Sequence, residues 1–238
     1  FKFSNFSVPS SPMPPIGTTK MSQTTNLLKQ RENFLEQAKK IKGTLEGLKK
    51  KIDPIQKKLR KKYPFIQSIS LFLPNSNKVA EEELIDPKDY KTLDVQETYH
   101  LLIVFPKDKL KEESKFKLDF IKEVSKIKPK IWVHTRMPED FWEACFDSKY
   151  SFVEAVAMSF PIYDKGFLGS LRTAMIHKIL VLGKFEKYVV SYVIAGSVVR
   201  GDTNETSDVD VFVVIDDTDV KRLSRFELKE KLRAIIYQ

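Results

Sequence analysis

The chain has 238 residues, 42% hydrophobic and 31% charged, enough to bury the core of one or two domains. Its formal charge of +9 is local, because 13 Lys/Arg stand against 4 Asp/Glu between Leu27 and Lys62. No apolar run reaches the roughly 20 residues of a membrane helix, and the single Cys145 excludes an intrachain disulfide framework, the pattern expected of a reducing cytoplasm.

Residues 1–26 read as a disordered or non-native leader: the first 20 are rich in Ser and Pro and lack the apolar stretch of a signal peptide. Met21 is the first Met ahead of a helical pattern. Apolar residues then fall at Ala38, Ile41, Leu45, Leu48, Ile52, Ile55 and Leu59, which predicts a basic amphipathic helix over 27–62. Asp53-Pro54 predicts a restart or kink within it. Three roles stay open for this helix: packing its apolar face on the domain, acting as a coiled-coil or protein-binding arm, and binding RNA or another polyanion through its lysines.

A strand is expected in FIQSISLFLPNS (65–76), followed by a polar loop. The apolar run of HLLIVFP (100–106) predicts a buried strand. Glu112 to Ile127 is spaced as a helix, IWVHT (131–135) as a strand, and Glu139 to Met158 as largely helical. YDKGF (163–167) reads as a connector before a helix over 168–185. VVSYVIAGS (189–197) and VDVFVVID (209–216) read as strands, and a last helix starts at Arg225.

Two stretches echo each other. LLIVF at 101–105 and VFVVI at 211–215 lie 110 residues apart, and the Phe116-x-Leu118 and Phe226-x-Leu228 steps that follow keep the same offset. This predicts two copies of one unit, residues 63–166 and 167–238, the second cut short.

Between the last two strands lies GSVVRGDTNETSDVD (196–210). Residues i and i+2 of a strand share a face, so Asp208 and Asp210 are expected to project together. Two adjacent carboxylates repel unless a cation lies between them, and Mg²⁺ or Mn²⁺ is the natural choice. Gly196-Ser197 permits close backbone approach and a turn of amides able to face phosphate oxygens. Taken singly, each element has a plain reading as a surface turn.

In order and at this spacing, Gly196, Ser197, Gly201, Ser207, Asp208 and Asp210 resemble the motif of nucleotidyltransferases of the DNA polymerase beta superfamily. The resemblance spans roughly Tyr188 to Asp217 and implies a fold and a chemistry. The fold class would be α+β: two nucleotidyltransferase-like units of mixed sheet with helices, preceded by the basic helix. The chemistry would be transfer of a nucleoside monophosphate from an NTP to an acceptor hydroxyl, with pyrophosphate leaving. Asp208 and Asp210 would be the catalytic metal ligands, Gly196, Ser197 and Gly201 would hold the nucleotide, Ser207 would support the carboxylate turn, and Arg200 would touch phosphate. Asp202, Glu205, Asp216, Asp217 and Asp219 read as surface acids. The alternative is a non-catalytic nucleotide- or RNA-binding regulatory protein, antitoxin-like, that keeps the fold.

The resemblance calls for a third carboxylate on a later strand. IWVHT begins 30 residues after LLIVF, so the counterpart strand would fall near residue 241, and the chain reads as a fragment. Asp164 is the upstream acid that could replace it in space, although nothing in the sequence points to it. In the first unit, Asn75-Ser76 stands for Gly196-Ser197, and Thr98 and His100 stand for the aspartates. That unit reads as degenerate, with a structural or substrate-holding role. His100 and His134 read as structural histidines rather than zinc ligands.

Overall fold

A computed structural model describes residues 21–85, 98–185, 187–204, 206–216 and 224–236. Residues 1–20 of the leader expected over 1–26, and the surface acids Glu205, Asp217 and Asp219, lie outside them, whereas residues 21–26 are helical and not part of a leader. The first helix, α1, runs Met21–Lys62, starting ahead of the expected Leu27 and continuing through Pro54 without a break. Leu45, Leu48, Ile52 and Leu59 are buried, so the C-terminal part of the stripe packs on the domain, while Leu35 and Ile41 are exposed.

The strands β1 (Ser68–Leu71), β2 (Thr98–Val104) and β3 (Lys130–Arg136), together with β4 (Phe160–Asp164), form a mixed sheet in the order β3-β2-β1-β4. β1 is antiparallel to β2 and β4, and β2 is parallel to β3. Helices α2 (Asn77–Leu84), α3 (Glu113–Val124), α4 (Pro138–Phe146) and α5 (Tyr150–Ala157) connect and cover this sheet. Then α6 (Phe167–Phe185) leads to a two-stranded antiparallel sheet of β5 (Val189–Ala195) and β6 (Asp210–Ile215). The short helix α7 (Ser197–Arg200) lies between them, and α8 (Arg225–Ile236) follows. The fold is α+β.

The unbroken apolar run of β2 follows from burial on both faces. Leu101, Ile103 and Phe105 join α1 and α3 in one apolar cluster, whereas Leu102 and Val104 join α4, α5, α6 and β5 in the other. That second cluster spans residues from Phe72 to Val198, so the expected unit boundary at 166/167 falls inside continuous packing. Tyr192 fills part of this core, and its hydroxyl donates to the Ala174 carbonyl at 3.0 Å.

Three expectations need correcting. The presumed connector at 163–167 begins inside β4, which Pro161 had disguised; β4 is an edge strand, where a missing N–H is tolerated. The polar loop after β1 contains a 3-10 turn and α2. The helical stretch 139–158 is two helices, broken where Ser148 adopts φ 61°.

Candidate functional site

The site is assembled where β5 and β6 meet. Ala195 pairs with Asp210 across the ladder, which brings the next residue, Gly196, beside the Asp210 carboxylate. Gly196 has φ 69° and ψ −144°, and a Cβ there would collide with Asp210 Oδ2. Glycine is therefore required twice, by conformation and by space. Ser197 then opens α7, whose Val198 is buried in the core, and Gly201 ends it at φ 72°.

The rest of the loop is tied down by side chains that the motif does not contain. Trp142 Nε1 on α4 donates to the Val199 carbonyl at 2.7 Å, and Gln67 Nε2 donates to the Gly201 carbonyl at 2.5 Å. A Cβ on Gly201 would strike Pro138, and one on Gly166 would strike the Asn204 backbone. Both glycines mark close approaches between the 63–166 region and the loop. Ser207 Oγ accepts from Asn204 N at 2.9 Å, and Asn204 Oδ1 accepts from Thr206 N at 2.9 Å. Ser207 thus stands in the turn just ahead of Asp208.

Asp208 and Asp210 are both exposed, and among the described residues neither forms an ion pair with a basic side chain. Asp208 lines a cavity together with Ser207 and Asp164, while Asp210 faces the glycine bend. Arg200 is turned elsewhere: its Nε lies 3.1 Å from Asp202 Oδ2. Asp202 is therefore this arginine's partner at the surface. Among the described residues no group of three His, Cys, Asp or Glu is placed to hold a metal ion. A pair of solvent-facing carboxylates nevertheless fits a hard divalent ion that completes its shell with water and substrate phosphates.

Residues 178–238, from the second half of α6 through α8, match the nucleotidyltransferase domain family. The match covers about a quarter of the chain. No curated protein and no solved structure matches the chain. The matched segment thus contains both carboxylates and the glycine bend, and the clamp from Trp142, Gln67 and Gly166 reaches it from outside. Those three carry no local signal, because each contact joins residues far apart in sequence.

The equivalent place in the first sheet is built differently. Leu71 pairs with Leu101 as Ile194 pairs with Val211, so His100 stands where Asp210 does. Counting outward from these pairs puts Leu73-Pro74, two residues upstream of the expected Asn75-Ser76, at the Gly196-Ser197 place. His100 is fully buried, and its Nδ1 lies 3.0 Å from Nε2 of His134 with the two rings stacked. Burial pushes His134 down to about 3, helped by the neighbouring His100, Lys117 and Arg136. Burial also lowers His100, although Glu81, 3.6 Å from its Nε2, acts in the opposite sense.

Proposed function

We propose that the chain is a metal-dependent nucleotidyltransferase that moves a nucleoside monophosphate from an NTP to an acceptor hydroxyl and releases pyrophosphate. The observation that supports this best is the contact of Asp210 with the Gly196 bend, which puts a carboxylate against backbone able to receive a phosphate chain. Asp208 and Asp210 would hold the divalent ion, and Gly196 and Ser197 would receive the triphosphate. Gly201 and Ser207 would fix the two ends of the loop between them. Arg200 would reach phosphate only by leaving Asp202, a screened surface pair worth little.

When bound, Mg²⁺ or Mn²⁺ supplies charge neutralisation at the transferring phosphate and lowers the pKa of the attacking hydroxyl. The chain's own contribution is positioning. Pairing of β5 with β6 fixes Asp210, and Trp142 and Gln67 hold the loop against the larger sheet. The 63–166 region would be a degenerate copy that keeps the strand pair and serves as a platform. No described helix is long and apolar enough to cross a membrane. Polyanion binding by exposed α1 lysines is a separate property, decided by whether RNA affinity falls with salt.

The decisive measurement is pyrophosphate release from labelled NTPs with Mg²⁺. Asp208→Ala and Asp210→Ala should each reduce it at least about 100-fold. Nucleotide binding without any release from the wild type would favour the regulatory alternative instead.

A further inference from the structure

Asp208 lies just ahead of β6, whose first residue is Asp210, and the two carboxylates border different features. Asp210 is pressed on the Gly196–Ser197 bend, where the leaving pyrophosphate lies on the reading above. In-line displacement puts the attacking oxygen on the far side of the α-phosphorus from the leaving oxygen. Asp208 opens on a cavity of about 630 Å³ shared with Asp164, Ser170, Thr173, Asn204 and Ser207. That volume suits a small molecule.

The wall of the cavity selects by charge. Asp164 cannot swing away, because Oδ1 accepts from Leu168 N at 3.1 Å and Oδ2 from Gly169 N at 2.9 Å. No Lys or Arg among the described residues lines the cavity. Lys165, next in the chain, sends its ammonium to the Pro64 carbonyl at 2.7 Å. The remaining polar groups are hydroxyls and an amide, with Ser207 Oγ and Asn204 Oδ1 already accepting hydrogen bonds. An acceptor with its own phosphates would bring negative charge beside Asp164 with no Lys or Arg among the described lining residues to offset it, whereas hydroxyl and ammonium donors meet carboxylate oxygens.

We propose that this cavity is the acceptor site, that it takes a neutral or cationic hydroxyl-bearing small molecule rather than a nucleic-acid end, and that Asp164 selects it. This deepens the nucleotidyltransferase reading and rests on it. The acceptor oxygen bonds to the α-phosphorus of the NTP as the bond from that phosphorus to the β-bridging oxygen breaks. Pyrophosphate leaves with the electron pair, and the acceptor proton passes to water.

The test offers the chain Mg²⁺ and α-labelled NTPs with glucosamine, glucose, glucose phosphate or a short RNA bearing a free 3′ hydroxyl. Transfer to glucosamine should exceed transfer to glucose phosphate by about tenfold or more in kcat/KM, with glucose between them and RNA unlabelled. Asp164→Asn keeps the shape and one of the two cap hydrogen bonds but removes the charge. It should raise KM for glucosamine and bring the ratio near one, without moving KM for the triphosphate. Equal or better labelling of glucose phosphate or RNA overturns the proposal, as does pyrophosphate release with no sugar labelled. Absence of any release sinks the transfer reading itself, an outcome distinct from release onto RNA.

Discussion

The strand pairs β1–β2 and β5–β6 are both antiparallel, and both are followed by a helix, but they treat the same position in opposite ways. β2 is flanked by β1 and β3, and Leu101 to Phe105 are all buried. β6 pairs with β5 alone among the described strands, and Phe212 is 63% exposed. Where β6 begins with a solvent-facing carboxylate against a glycine, β2 has a sealed imidazole bonded to another from β3. Charged groups are costly to bury without partners, so the open pair can keep an acid while the closed one needs a neutral hydrogen-bonding couple.

The largest way to break this contrast acts on the open pair. Gly196→Ala adds a Cβ into the Asp210 carboxylate and imposes a left-handed φ on alanine. Displacing a reacting group by about 1 Å can cost about 100-fold, so pyrophosphate release should fall by at least that much. Gly183→Ala is the control, since nothing lies within 4 Å of its would-be Cβ and alanine favours the helix. Equal losses from both would show that the bend has no special role.

Exchanging the residues at the shared position comes next. His100→Asp puts a carboxylate in a fully buried place beside Glu81, and should cost about 3–5 kcal/mol in denaturant unfolding. Leu102→Ala, one strand position from the paired Leu101, should cost about 2–5 kcal/mol by opening a cavity. Asp210→His, at an exposed place, should change stability by less than about 1 kcal/mol while abolishing transfer. Comparable destabilisation by the two exchanges would remove the distinction between a closed and an open pair.

Much of this layout is legible from residue periodicity. The apolar run that became β2 and the helical spacing that became α3 act through local burial, which sequence reports well, while the run that became β6 was legible although most of it is exposed. β4 was hidden because Pro161 argues against a strand unless its edge position is known, and α2 because its eight residues are mostly polar. The motif loop was readable as a set of residue types, but its clamp was not. Trp142 meets Val199 and Gln67 meets Gly201 across 57 and 134 residues, distances over which spacing conveys nothing.

The histidine couple predicts a pH response of intermediate size. His134 titrates near 3 in the fold against about 6.5 when unfolded, so below 6.5 the unfolded chain binds the extra proton. Its stability contribution is complete above pH 6.5 and is lost as pH falls toward 3. At pH 5 the loss is about 2 kcal/mol. Urea unfolding at pH 7 and pH 5 measures it, and His134→Gln should flatten that dependence. An unchanged slope in the variant would assign the acid sensitivity to other groups. Trp142→Phe, which keeps an aromatic ring but removes the donor to Val199 and some buried volume, should cost at least about 1 kcal/mol and reduce kcat severalfold.

The smallest expected effect is the most discriminating for the comparison itself. Phe212 and Leu102 stand at matching places, each one residue along from Val211 and Leu101, which pair with Ile194 and Leu71. If the strands carried equal packing, removing either side chain would cost the same. Leu102 is completely buried, whereas Phe212 leaves most of its ring in solvent. Transfer energy scales with the area removed from water, so Phe212→Ala should shift stability by no more than about 0.5 kcal/mol. A loss of several kcal/mol for Phe212→Ala would mean that this face of β6 is covered in solution, and the open strand pair would then resemble the closed one.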